Sequence, residues 1–187
     1  RSGSSHLLCQ PFIFLHKTLN PAGYSDFFGC KDTLAYSTPL DVLIFQTDPQ
    51  QINVEVTGPI TVKLYASSSC CDTDFTAKLI DVYPLSEDYP NGLAINLTDS
   101  IIRARYHKEL LNLGKTYEFT FQLYPTFNIF KKGHRICLDI SSSNFPRFDM
   151  NPNTGSKLGA EQRKIAEQSI FRCSKHPSQV VSPIIMR

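Results

Sequence analysis

Residues Lys115–Pro125 read KTYEFTFQLYP. Tyr117, Phe119, Phe121 and Leu123 fall on one side of an extended chain, and Glu118, Thr120 and Gln122 on the other. That strict alternation marks a strand with one dry face and one wet face. The same pattern recurs upstream. In ITVKLYASS, residues Ile60, Val62, Leu64 and Ala66 share a face opposite Thr61, Lys63 and Tyr65. DFTAKLIDVYP sets Phe75, Ala77 and Leu79 against Thr76, Lys78 and Ile80, and HRICLDI groups Ile136, Leu138 and Ile140. DVLIFQ, GLAINLT, SIIRARYH and the closing SQVVSPIIM add further short apolar runs. In SIIRARYH, Ile102, Ala104 and Tyr106 share one face, and Arg103 and Arg105 point away from it, onto a solvated surface.

Turn signals separate these runs: Asp48-Pro49, Gly58-Pro59, Tyr89-Pro90-Asn91-Gly92, Gly114 and Lys132-Gly133. Eight or more short strands spaced in this way predict an all-β fold, a sandwich or jelly roll. One segment departs from the pattern. Helix propensity favours Ala160–Gln168, within SKLGAEQRKIAEQSIFR, although IAEQSIF can also be extended. Residues 1–40 show no clear period and are broken by Pro11, Pro21, Gly23 and Gly29, so they read as an irregular lead-in or linker before a domain spanning 41–187.

Composition narrows the function classes. A chain of 187 residues suits one domain, and a net charge of +2 argues for neither nucleic acid nor an acidic membrane surface as partner. The apolar run within HLLCQPFIFLH is shorter than the ~20 residues a membrane span needs. The six cysteines, at 9, 30, 70, 71, 137 and 173, show no CxxC pair and so give no zinc pattern; they read as free thiols, which slightly favours a cytoplasmic setting. Asn96-Leu97-Thr98 matches the glycosylation triplet, a pattern that arises often by chance.

No residue set reads as catalytic, and none implies a cofactor or metal. A hydrolase nucleophile elbow requires Gly-x-Ser-x-Gly, and Gly155-Ser156-Lys157-Leu158-Gly159 has the wrong spacing. Asp72 and Asp74 lack the further oxygen ligands calcium takes and read instead as turn-capping carboxylates. His134 and His107 stand at strand ends, where a surface or turn role is expected. The densest motif is SSSNFPRFDMNPNTG, Ser141–Gly155. Its serines end a strand, Pro146 and Pro152 stiffen it, and Asn151, Asn153 and Gly155 suit left-handed backbone. Arg147 and Asp149 are close enough to pair, and Phe145 and Phe148 are candidate anchors.

Taken with LYASSSCCDTDFTAKLIDVYP, GLAINLTDSIIRARYHKEL and HPSQVVSPIIMR, this motif closely resembles one family over Asp41 to Arg187. It is similar to the C-terminal domain of the cocaine-esterase-like (CocE/NonD) hydrolases, shared with the X-Pro dipeptidyl-peptidases of the S15 class. The resemblance implies a jelly-roll β-sandwich of the galactose-binding-like type. It also implies an upstream α/β-hydrolase domain that holds the catalytic Ser, Asp and His, which this domain would cover while helping to shape the substrate pocket. Asp72, Asp74, Phe75, Asn144, Phe145, Pro146, Arg147, Asp149 and Asn153 are then motif residues with structural or docking roles. A stand-alone module for a sugar or other ligand is the alternative reading.

Overall fold

The computed structural model describes residues 11–16, 42–106, 109–158 and 160–185, the first of these segments as backbone. The strands are β1 (Pro11–His16), β2 (Leu43–Gln46), β3 (Val54–Ser68), β4 (Asp74–Tyr83), β5 (Leu93–Arg103), β6 (Tyr117–Phe130), β7 (Arg135–Ser141), β8 (Ala166–Cys173), β9 (His176–Pro177), β10 (Gln179–Val181) and β11 (Ile184–Ile185). A short 3-10 turn, Ala104–Tyr106, follows β5. Every ladder is antiparallel, and the strands form two sheets. One sheet has β3 at its centre, with β6 on one side and β8, β10 and β11 in line on the other; β1 lies beyond β8. The second runs β2-β7-β4-β5. The expected all-β sandwich is therefore observed.

The core is the set of inward positions that alternation selects. Ile60, Val62, Leu64 and Ala66 of β3 and Phe119, Phe121 and Leu123 of β6 face Phe75, Ala77 and Leu79 of β4 and Ile140 of β7. Phe75 and Phe119 meet with ring centroids 5.0 Å apart. Each fully buried Phe, Leu or Ile stabilises the fold by roughly 1.5–3 kcal/mol, so this interface dominates stability. On the other face of the second sheet, Ile80, Ala94 and Cys137 form a small separate cluster.

Two local expectations change. Gly58-Pro59 does not end a strand: β3 runs through it, and the register shifts between Gly58 and Ile60. Pro59 there faces both Tyr124 and Pro125 on β6, since Gly58 pairs with Thr126 and Ile60 with Leu123. Neither proline can donate to the ladder, so the pair is accommodated as a bulge, and Gly58 takes a φ of 123°. The added residue reverses the facing of β6, which leaves Phe127 and Ile129 exposed and buries Phe130. The helix that propensity favours over 160–168 does not form. Ala166, Gln168 and Ile170 are buried at period two, and β8 pairs with β3 on one side and β1 on the other, so tertiary pairing overrides a weak local preference. Within the segment read as a lead-in, Pro11–His16 is a strand; the rest of residues 1–40 lies outside the described residues.

Candidate functional site: a buried ion-pair network

Three loops gather at one end of the sandwich. Residues 69–73 join β3 to β4, 104–116 join β5 to β6, and 142–165 join β7 to β8. Strand register brings their polar groups together. Asp74 pairs with Arg103 across the β4–β5 ladder. The Arg103 guanidinium donates to Asp74 Oδ2 at 2.8 Å and to the Asp149 carbonyl at 3.2 Å. Further out, Arg105 donates to Asp72 Oδ2 at 2.5 Å and to the Ser156 carbonyl at 2.9 Å. Both aspartates are buried, so these are inward ion pairs. The solvated arginines and turn-capping carboxylates expected from the sequence are corrected on this point.

The 141–155 motif closes over these pairs. Asn151 donates to the second oxygen of Asp74 at 2.8 Å. Arg147 pairs through Nε with Asp99 at 2.7 Å, and Asn144 donates to the other Asp99 oxygen at 2.9 Å. Arg147 thus reaches Asp99 rather than Asp149. Asp149 is exposed and contributes its carbonyl, because this segment is a turn in which neighbouring side chains diverge. Arg147 also lies over the rings of Tyr124 and Phe148, at 5.6 and 5.5 Å.

Asn153 is 1% exposed and takes φ 62°, the left-handed backbone its short amide tolerates. Its N–H donates to Asn151 Oδ1 at 2.9 Å, and its side chain donates to the Lys164 carbonyl at 2.8 Å. The Phe145–Pro146 peptide is cis, and Phe145 is half-buried with Pro146 exposed. Phe75 sits below in the core, and Gln168 donates to Thr73 at 2.6 Å.

Electrostatically, burial dominates. The Asp74 carboxyl is pushed up to about 6, chiefly by desolvation, against the opposing hydrogen bond from Asn151 and the Arg103 charge. Burial also raises the thiols of Cys70 and, to about 12, Cys137, so both are protonated and poor nucleophiles at neutral pH. Cys70, Cys71 and Cys137 are free, whereas Cys173 is disulfide-bonded, its partner lying outside the described residues. The uniform free-thiol expectation fails there.

Other candidates sit elsewhere. His134 is buried at the opposite end of the sandwich, its Nδ1 2.8 Å from Asp81 and its ring 4.3 Å from that of Tyr83, rather than at the surface. Asn96 lies within β5, where the neighbouring Thr98 hydroxyl donates to the Tyr124 carbonyl at 2.7 Å, so the glycosylation triplet is part of a sheet. Among the described residues, no three His, Cys, Asp or Glu side chains gather as a metal site.

The sequence reading selected Asp72, Asp74, Phe75, Asn144, Phe145, Pro146, Arg147, Asp149 and Asn153, and all of them lie in or around this network. It missed the partners Asp99, Arg103, Arg105 and Gln168. Two acids leading into β4 and two arginines leading out of β5, each pair at i, i+2 spacing, were the available signal.

Comparison with known proteins agrees with this architecture. The chain matches the family described as X-Pro dipeptidyl-peptidase C-terminal non-catalytic domain over residues 14–181. It is 44% identical over 183 residues to the cocaine esterase of Rhodococcus sp. (strain MB1 Bresler), covering 94% of this chain and 29% of that protein. An aminopeptidase from a marine sediment Thaumarchaeota archaeon superposes with a TM-score of 0.86 at 26% identity, over 95% of this chain and 33% of its own. An α-amino acid ester hydrolase superposes with a TM-score of 0.85, also at 26% identity and with the same coverage. The chain thus spans about a third of the length of these larger enzymes. It belongs to the X-Pro dipeptidyl-peptidase C-terminal non-catalytic domain family, the C-terminal β-sandwich of cocaine-esterase-like (CocE/NonD) hydrolases.

Proposed function

We propose that this β-sandwich packs on the α/β-hydrolase domain of a parent serine hydrolase and helps to shape its substrate pocket. In this reading the parent cleaves acyl esters, amides or X-Pro peptides through an acyl-enzyme, with every reacting group supplied by the catalytic domain. The observation that carries it is the fate of the 141–155 motif. Its arginine and two of its three asparagines are spent on buried aspartates of the sandwich: Arg147 and Asn144 hold Asp99, and Asn151 holds Asp74. Such groups fix the shape of a loop and are not poised to attack a substrate. Asp72, Asp74, Phe75 and Asn153 are the interior supports, and Phe145, Pro146, Arg147 and Asp149 are the outward part of the loop.

The test has two arms. The chain alone should release no 4-nitrophenol from 4-nitrophenyl acetate, and no 4-nitroaniline from an X-Pro anilide, above the buffer rate. A chimera in which this chain replaces the matched 29% of the Rhodococcus esterase should hydrolyse the ester. Turnover by the chain alone that disappears on mutating one of its own serines would refute the proposal.

A further inference from the structure

The three loops at the network end converge on the turn after β3. Gly114 N–H donates to the Ser68 carbonyl at 2.9 Å, and Leu111 N–H to the Cys71 carbonyl at 2.8 Å. Cys70 Sγ lies 3.7 Å from the Ile165 carbonyl. A Cβ placed on Gly155 would sit 3.4 Å from a Leu110 methyl and 3.7 Å from Cys71 Sγ. Around this turn four large apolar side chains stand in solvent: Tyr106 is 80% exposed, Leu113 68%, Ile165 59% and Leu110 53%. All four come from loops, so no strand alternation puts them outside.

We infer that this apolar rim is the seat of the domain on the catalytic domain of its own polypeptide. The inference rests on the parent-hydrolase reading and adds the surface that reading leaves open. Three observations support it. First, clustered apolar side chains mark interaction sites where scattered ones do not. Second, the floor beneath the rim is electrically balanced: Arg105 and Arg103 are each met by an aspartate. Covering the rim therefore leaves these two guanidinium groups with their partners. Third, the loops are cross-tied before any partner arrives, which lowers the ordering cost of binding. The occupant follows from length: relatives matched over nearly the whole of this chain are about three times as long.

Hydroxyl-radical footprinting of the isolated chain and of the Rhodococcus chimera tests this directly. Oxidation of Tyr106, Leu110, Leu113 and Ile165 should fall at least about five-fold in the chimera, as expected where an interface excludes water. Ile52 and Leu85, comparably exposed at 72% and 74% on loops of the opposite end, should oxidise at the same rate in both. An active chimera with an unprotected rim, or with protection confined to Ile52 and Leu85, overturns this inference and leaves the parent-hydrolase reading standing. A chimera without esterase activity overturns both. Rim protection in the isolated chain that grows with concentration would identify a second copy as the occupant and also overturns it.

Discussion

Asp74 offers the sharpest test of how this network is balanced. Its carboxyl is almost wholly buried, with Arg103 on one oxygen and Asn151 on the other, yet desolvation outweighs both and raises it from 3.8 to about 6. The unfolded chain releases this proton near 3.8, and the folded chain keeps it until about 6. Between those values the folded state binds more protons, so this group's contribution is complete below pH 3.8 and is lost as pH rises through 6. Once the group is ionised in both states the loss amounts to about 3 kcal/mol. Comparing the chain with Asp74→Asn isolates the effect, because Asp139 and the remaining carboxyls titrate in both proteins. Urea unfolding at pH 4, 5, 6 and 7 should show the native chain losing stability relative to the variant, with most of the change between pH 4 and 6.5. The constant offset from replacing the acid does not matter; the slope does. A difference that stays flat would show that desolvation and pairing cancel. One that grows in favour of the native chain with rising pH would show that the Arg103 pair dominates, and either result refutes the reasoning.

Two further substitutions probe the frame. Phe75→Ala removes a side chain with no exposed surface at the centre of the sandwich and should cost about 3–5 kcal/mol in urea unfolding, whereas Phe127→Ala, at a position 70% exposed beyond the β6 bulge, should cost under about 1 kcal/mol. Arg103→Ala leaves a buried carboxylate without its cation and should cost about 3–5 kcal/mol at pH 7.5, clearly more than Arg147→Ala, whose side chain is 30% exposed against 11% for Arg103; each aspartate keeps its asparagine in the variant, so equal losses would contradict the geometry.

The sandwich was legible in the sequence because burial on one face writes itself as alternation, and Tyr117–Leu123 and Ile60–Ala66 carry that signal without interruption. The network was only half legible, and the reason is register. Tyr83 pairs with Leu93 next to the β4–β5 turn, and carrying that count unchanged to Asp74 would place it opposite Ile102. A shift between Leu79 and Ile80 moves the ladder by one residue, and Asp74 meets Arg103 instead. One inserted residue decides whether an aspartate faces a hydrocarbon or a guanidinium, and no residue in AINLTDS announces it. The β6 bulge has the same character: alternation continued past Pro125 would bury Phe127 and Ile129, which are exposed. The helix expected near Ala160 fails for a different reason, since propensity weighs little against two ladders that need a strand at β8.

Why a non-catalytic domain should keep three arginine–aspartate pairs inside one end follows from what such pairs do. Desolvation offsets much of their attraction, so as stabilisers they compare poorly with packed hydrocarbon. They do, however, penalise every alternative arrangement that strands a charge, and that penalty is steep where the aspartate is buried, as all three are here. Arg103 links β5 to the Asp149 carbonyl, Arg105 links the 3-10 turn to the Ser156 carbonyl, and Arg147 links the 142–165 loop back to β5. Arg103 and Arg147 thus each fasten the 142–165 loop to a strand, and Arg105 fastens it to the 3-10 turn and the 69–73 loop. A loop held in this way presents one shape, which is the requirement for a surface that must fit a much larger neighbour. Under the proposed packing on a catalytic domain, the density of polar residues in SSSNFPRFDMNPNTG would serve a fixed contour, and weakening any one pair should blur that contour before it unfolds the sandwich.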